Sequence, residues 1–286
     1  MRLLNFSDGH GERVGIAEGD EVLDLTPLGS IREIAAILST GDSGQAVVRQ
    51  WAQRGERHAL DAVDVRAPID SHVRTFCAAL NYVDHAAESK RPLHTEPLLF
   101  FKLPSNIIGP SDAIDPPPVG TFLDYEGELA VVIGRPGSDI APEDAMGHVL
   151  GLAAMNDVTA RDLQRRESAT HTTMDWFSGK ALDNSTPFGP HIVTLDEAPD
   201  VADITIATTV NGTMVQEGKA REMIYSVETL ISYVSQRVTL QPLDVIATGT
   251  PARKETYRSR KLESGDVIEV NVTGVGTLRN VVASRA

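Results

Sequence analysis

Hydrophobic positions follow two rhythms along this chain. Near the start, short apolar runs over residues 2–6, 13–17 and 21–25 read as strands, with Gly19-Asp20 as a tight turn between the last two. Ser30 then reads as a helix cap with Glu33 at the capping-box position. Ile31, Ile34, Ala35 and Leu38 recur at i, i+3, i+4 and i+7, which predicts one helix with a buried face, stopped near Gly41. A second helix is expected over 44–57, and a polar stretch to Pro68 closes a small N-terminal α/β domain, residues 1–68. Residues 69–286 form the larger domain. There, 74–80, 97–106, 124–134, 149–155 and 244–250 read as strands, several of them apolar runs that lead into a core. Residues 203–210 alternate and turn at Asn211-Gly212, and 266–273 with 277–283 form a closing hairpin. Two helices interrupt: one over 83–90, and one opened by Ser226 with Val227, Leu230, Ile231, Val234 and Val238 on one face. Many strands, few helices and no regular βαβ alternation predict a β-rich α+β fold and exclude a doubly wound or barrel architecture.

Composition narrows the partners. The chain has 286 residues and 41% hydrophobic content, enough for one large core or a large and a small domain. Its net charge is −14, from 26 Lys+Arg against 40 Asp+Glu, with no basic run, so neither nucleic acid nor an anionic membrane is expected to bind. No apolar run reaches the ~18 residues of a spanning helix, and residues 1–8 carry no apolar stretch of signal-peptide length. The single cysteine, Cys77, sits in an apolar run and is expected to be a buried small hydrophobe. A cytoplasmic location is compatible with this.

Candidate chemistry begins at Asp124-Tyr125-Glu126-Gly127-Glu128, which leads an apolar, β-branched strand. Alternation puts Glu126 and Glu128 on one face, about 6–7 Å apart. Two like charges beside an apolar run are costly unless cancelled, and a divalent cation with oxygen ligands would cancel them; a solvated strand end is the alternative reading of this motif alone. Asp157 follows a second apolar run and could add a third carboxylate. Lys180 sits in a small, apolar setting in Phe177-Ser178-Gly179-Lys180-Ala181. His85 and Glu88 share a helical face at i, i+3, where a carboxylate orients an imidazole for general-base work; a surface pair without a role is the alternative. The polar segment from Arg165 to Asp175, continuing towards Ser178, reads as a mobile lid between Asp157 and Lys180.

Six short pieces occur in order: Asn81-Tyr82-Val83-Asp84-His85-Ala86-Ala87-Glu88; Asp124-Tyr125-Glu126-Gly127-Glu128; Asn156-Asp157-Val158-Thr159-Ala160-Arg161-Asp162; Gly179-Lys180 with Pro187-Phe188-Gly189-Pro190; Val210-Asn211-Gly212; and Asp244-Val245-Ile246-Ala247-Thr248-Gly249-Thr250-Pro251. Together they make residues 72–286 resemble the fumarylacetoacetate hydrolase family, its acylpyruvase-like branch. The resemblance implies a mixed β-sandwich roll, usually a homodimer. It implies Glu126, Glu128 and Asp157 as ligands of Mg²⁺ or Mn²⁺, with Ca²⁺ possible in crystals. It implies His85 with Glu88 as base, Lys180 as stabiliser of the developing oxyanion or enolate, and Tyr82, Arg161, Gln164 and Thr250 as substrate contacts. The expected activity is hydrolysis of a C–C bond in a 2,4-diketo acid or acylpyruvate through a metal-bound enolate, in aromatic or sugar-acid catabolism. An oxaloacetate decarboxylase, an isomerase or dehydratase of a 2-oxo acid, and a non-catalytic metal-binding member remain open. One departure matters: where relatives often continue Gly-Thr-Pro with Gly-Val, this chain reads Ala252-Arg253-Lys254, and these cations could favour a second carboxylate on the substrate.

Overall fold

The computed structural model describes residues 1–89, 94–168, 170–257 and 259–284, and the side chains of 87–89 lie outside that description. Apolar-throughout runs become the middle of a twelve-stranded sheet. Its main path crosses Arg57–Ala59, Glu21–Asp24, Glu12–Glu18, Arg2–Ser7, Thr186–Thr194, Val149–Asn156, Gly127–Ile133, Val245–Ala247, Thr75–Ala79 and Leu98–Lys102. Alternating runs become a four-stranded antiparallel sheet of Thr213–Lys219, Thr205–Val210, Val267–Val272 and Gly276–Val281.

The Gly127–Ile133 strand shows why its sequence has no polar face. Leu129, Val131 and Ile133 pack with Ile206, Val270 and Val272 of the second sheet. Ala130 and Val132 pack on the other side with Ile34, Leu38 and Val48 of the helices Ile31–Leu38 and Asp42–Ala52. Both faces are therefore buried, as in a sandwich with a helical layer outside it. Ser30 accepts from Glu33 N–H and Glu33 returns the bond, closing the expected capping box.

Several boundaries shift. The second helix spans Asp42–Ala52 rather than 44–57, and residues 57–59 join the sheet edge. The helix expected over 83–90 is Val83–Ser89, with Lys90 outside the described residues. Residue 68 is no break in the sheet: Arg2 and Leu3 register against Val193 and Ile192, so the N-terminal strands extend the sheet that carries the larger domain. Pairing across such a sequence distance leaves no local trace. The polar segment after Gln164, read from the sequence as a lid, carries a two-stranded hairpin, Arg165–Glu167 against Thr172–Met174. Ala169 at its tip lies outside the description.

Arg32 on the first helix clamps the N-terminal layer onto Asp70, with Nε donating at 2.6 Å and Nη2 at 2.9 Å. That bond first, and the His72 N–H besides, hold the Asp70 carboxyl below the usual aspartate range. A depressed carboxylate pKa stabilises the fold above the unfolded value of about 3.9, and the effect is lost as pH falls through the folded value. Asp70→Asn should cost up to about 1 kcal/mol at pH 7, a partly exposed pair being screened by solvent. Urea denaturation at pH 7 and pH 3 should show that deficit shrinking at the lower pH.

Candidate metal centre and active-site cavity

Three adjacent strands end at one point. Gly127 registers against Asn156, Asp157 N–H donates to Glu126 O at 2.8 Å, and the Asn156 side chain accepts from Glu126 N–H at 3.0 Å. These bonds bring Asp157 to the start of the strand that carries Glu126 and Glu128. From the third strand's end, Gly249 N–H donates to Glu128 Oε2 at 2.9 Å. Gly127 separates the two glutamates because a Cβ there would meet Thr208 Oγ1 at 2.2 Å. Carboxylate oxygens of Glu126, Glu128 and Asp157 lie within 4.8 Å of one another, and all three residues are buried.

Cations are built around these acids. Lys180, at the end of helix Trp176–Lys180, donates to Glu126 Oε2 at 2.5 Å and to Asp157 Oδ2 at 2.6 Å. Asp175 caps this helix by accepting from Ser178 N–H. The helix docks close to Gln164, since a Cβ on Gly179 would meet Gln164 Cβ at 2.6 Å. Lys102, fully buried, ion-pairs with Asp157 Oδ1 at 2.9 Å and donates to Val158 O at 3.0 Å. Arg161 donates from Nε to Asp124 Oδ2 at 2.7 Å, from Nη2 to Glu126, and from Nη1 to Gln164 Oε1 at 3.3 Å.

The electrostatics divide the acids. Burial alone would raise the Glu126 carboxyl, but Arg161 and Lys180 outweigh it and hold Glu126 well below the usual range. Burial, then the charges of Asp157 and Glu126, push Glu128 well above it. Burial would lower the Lys180 ammonium, yet Asp157 and Glu126 outweigh it and raise its pKa. Without a further positive charge, the cluster accommodates three carboxylates only by protonating one. An all-oxygen donor set with one surplus carboxylate fits a hard divalent cation such as Mg²⁺ or Mn²⁺. Glu126, Glu128 and Asp157 would hold it.

The cluster floors a cavity of about 460 Å³, lined also by Leu80, His85, Phe100, Arg161, Gln164, Trp176, Thr250 and Arg253. Of the residues expected from sequence, His85, Lys180, Arg161, Gln164, Thr250 and the three acids all reach it. The Glu88 side chain lies outside the described residues. Tyr82 is fully buried, its backbone bridged to Met223, and it does not line the cavity. The Thr250 hydroxyl donates to Gly127 O at 2.8 Å and accepts from Gln216 Nε2 at 2.9 Å, so it braces the glutamate strand. Arg165 and Met174 of the 165–174 hairpin lie on the rim. Cys77 is buried, and burial raises its thiol pKa.

Sequence reasoning assigned neither Lys102 nor Asp124 to the centre. A lysine within Leu98-Leu99-Phe100-Phe101-Lys102, in phase with Phe100, was the available signal, and Asp124 continues the two-residue spacing of Glu126 and Glu128.

A β-rich α+β fold whose central strands end in an all-carboxylate centre, with a lysine and a histidine in the same cavity, defines a metal-dependent enzyme. The chain belongs to the fumarylacetoacetate hydrolase family: the profile of the fumarylacetoacetate (FAA) hydrolase C-terminal domain matches residues 74–283. The mitochondrial oxaloacetate tautomerase fahd2 of Xenopus laevis is 35% identical over 99% of this chain and 90% of its own length. A fumarylacetoacetate hydrolase from Exiguobacterium antarcticum has a similar structure, with TM-score 0.83, 38% identity and 100% of both chains covered. A Sphingobium maleylpyruvate hydrolase, solved with manganese(II) and pyruvate, superposes with TM-score 0.83 at 27% identity over 100% of both chains. Among the described residues no helix is long and apolar enough to cross a membrane.

Asp157→Asn removes one acid of the centre and the counter-charge of both buried lysines. It should destabilise the metal-free protein by about 3–5 kcal/mol. Mn²⁺ should raise the melting temperature of the wild type and leave that of the variant unchanged, as followed by thermal denaturation with and without Mn²⁺.

Proposed function

We propose that this protein is a divalent-metal-dependent tautomerase of a 2-oxo acid of the oxaloacetate type, moving a proton between C3 and the 2-oxo oxygen. The carrying observation is that Lys180 is locked between two acids of the centre while His85 stands on the cavity wall. Tautomerisation needs one base at carbon and a positive environment at oxygen. Lys180 is fully buried and donates to Glu126 Oε2 and Asp157 Oδ2, which places it as a cation beside the oxygen rather than as a base at carbon. His85, on the cavity wall and outside the carboxylate cluster, takes the C3 proton and returns it to the 2-oxo oxygen. Lys180, itself fully buried, favours the charge that develops at the 2-oxo oxygen. When bound, a divalent cation would add Lewis-acid polarisation of the 2-oxo group. The length and identity of the match to a relative named for oxaloacetate tautomerisation support this reading.

Hydrolysis of an acylpyruvate is the second reading. It keeps the same acids and lysine and asks His85 to activate water instead. A cavity of about 460 Å³, with room beyond a four-carbon acid, and the likeness to a maleylpyruvate hydrolase favour it.

The two readings separate in one experiment. With Mg²⁺ or Mn²⁺, the wild type should speed relaxation of enol oxaloacetate to the keto form, followed by ultraviolet absorbance, more than it cleaves any acylpyruvate in a panel. His85→Ala should lower kcat by about 100-fold or more while keeping the melting shift with Mn²⁺. Cleavage of an acylpyruvate with no effect on oxaloacetate relaxation would establish the hydrolase instead.

A further inference from the structure

The two-residue spacing of the metal acids extends one step towards the N-terminus. Asp124, Glu126 and Glu128 take alternate sequence positions, with Asp124 ending the short strand Leu123–Asp124, Glu128 inside Gly127–Ile133, and Glu126 in the break between them. Asp124 is fully buried: its Oδ2 accepts from Arg161 Nε at 2.7 Å and from Arg253 Nη1 at 2.8 Å. The cations answer in the same order. Lys180 joins Asp157 to Glu126, Arg161 joins Glu126 to Asp124, and Arg253 closes the series on Asp124.

Arg253 is held by its backbone as well. It bridges Gln216 in an antiparallel pair, and Lys254 N–H donates to Val215 O at 2.8 Å. Gln216 Nε2 also donates to Pro251 O at 2.8 Å, lacing the loop after Gly249 to the Thr213–Lys219 strand. Arg161 engages all three of its nitrogens on Asp124, Gln164 and Glu126 and serves as cavity wall. Arg253 lines the cavity with its side chain 16% exposed.

We propose that Arg253 determines specificity by binding a second carboxylate of the substrate, at the end remote from the 2-oxo acid group, and that Asp124 positions it. The proposal rests on the reading of the cavity as a 2-oxo acid site. The contacts support it. Lys102 and Lys180 are engaged by Asp157, Lys180 and Arg161 by Glu126, and Glu128 accepts the Gly249 N–H, while Arg253 is held from the side of Asp124 and lines the same cavity. A bound divalent cation would pair with one carboxylate of the substrate, and an arginine lining that cavity would answer a second. A planar guanidinium held in place suits a carboxylate better than a lysine would.

Oxaloacetate and 2-oxobutyrate share four carbons and differ only in a distal carboxylate or methyl group. Their binding to the Mg²⁺-loaded protein can be followed by quenching of Trp176, which lies in the cavity wall. The wild type should prefer oxaloacetate by about 10–100-fold, the range of a charge-assisted hydrogen bond. Arg253→Met should abolish that preference by weakening oxaloacetate alone, and Arg253→Lys should keep part of it. Wild-type circular dichroism and Mn²⁺ binding at the assay temperature would show that both variants are folded, although loss of a partner of buried Asp124 should lower the melting temperature of Arg253→Met. Equal weakening of the two acids, or a preference that survives Arg253→Met, would overturn the clamp and leave the 2-oxo acid reading intact. If neither acid binds the wild type, the 2-oxo acid reading falls, and the clamp with it.

Discussion

Charge buried at the ends of strands has to be answered where it is buried, and this requirement organises the molecule. Removing an ion from water costs several kcal/mol even after relaxation, more than one exposed contact returns. Asp124, Glu126, Glu128 and Asp157 are all buried, and so are Lys102 and Lys180. Each partner arrives on a different element: the Leu98–Lys102 edge strand, the Trp176–Lys180 helix, the turn at Arg161 and the loop after Gly249. None of these can shift without exposing an unmatched charge to a medium that does not solvate it. Gly127 and Gly179 sit where neighbouring residues approach too closely for a Cβ.

The same compensation sorts chemical roles. A lysine between two carboxylates keeps its proton, and a carboxylate between a lysine and an arginine gives its proton up. Glu128 is different: its oxygen accepts the Gly249 N–H, and burial with two neighbouring acids favours its protonated form. The centre is therefore built short of positive charge at one ligand. Beside it, Trp176 stacks on Phe100 at 4.8 Å between ring centres, and the Lys180 ammonium lies 5.0 Å from the Phe100 ring. An apolar wall of this kind lowers the local dielectric and strengthens each of these charges on a bound acid.

Features carried by neighbouring residues were readable in the sequence, and features made by distant pairing were not. Glu126 and Glu128 declare a shared face through their spacing, and Asp157 ends an apolar run that had to be a buried strand. The capping box at Ser30 and Glu33 is local and formed as read. By contrast, the pairing of Arg2 with Val193 joins residues far apart in sequence, so the N-terminal strands read as a separate unit. The 165–174 hairpin is polar on both faces, which removes the alternation that marks a strand. Lys102 ends an edge strand whose Phe101 is 61% exposed, a context in which a lysine reads as a solvated end. Only the fold places it against Asp157.

The division of the cavity into two walls explains how one family scaffold serves several reactions. The acids and lysines of the centre are tied to the central strands, where substitution disturbs the sheet. His85 stands on a short helix, and Arg253 on a loop joined to the second sheet by Gln216. What His85 meets, a C3 hydrogen or a water, depends on what fills the far side of the cavity. The groups that would vary the reaction therefore stand on the loops and the short helix, while the carboxylate centre belongs to the strands.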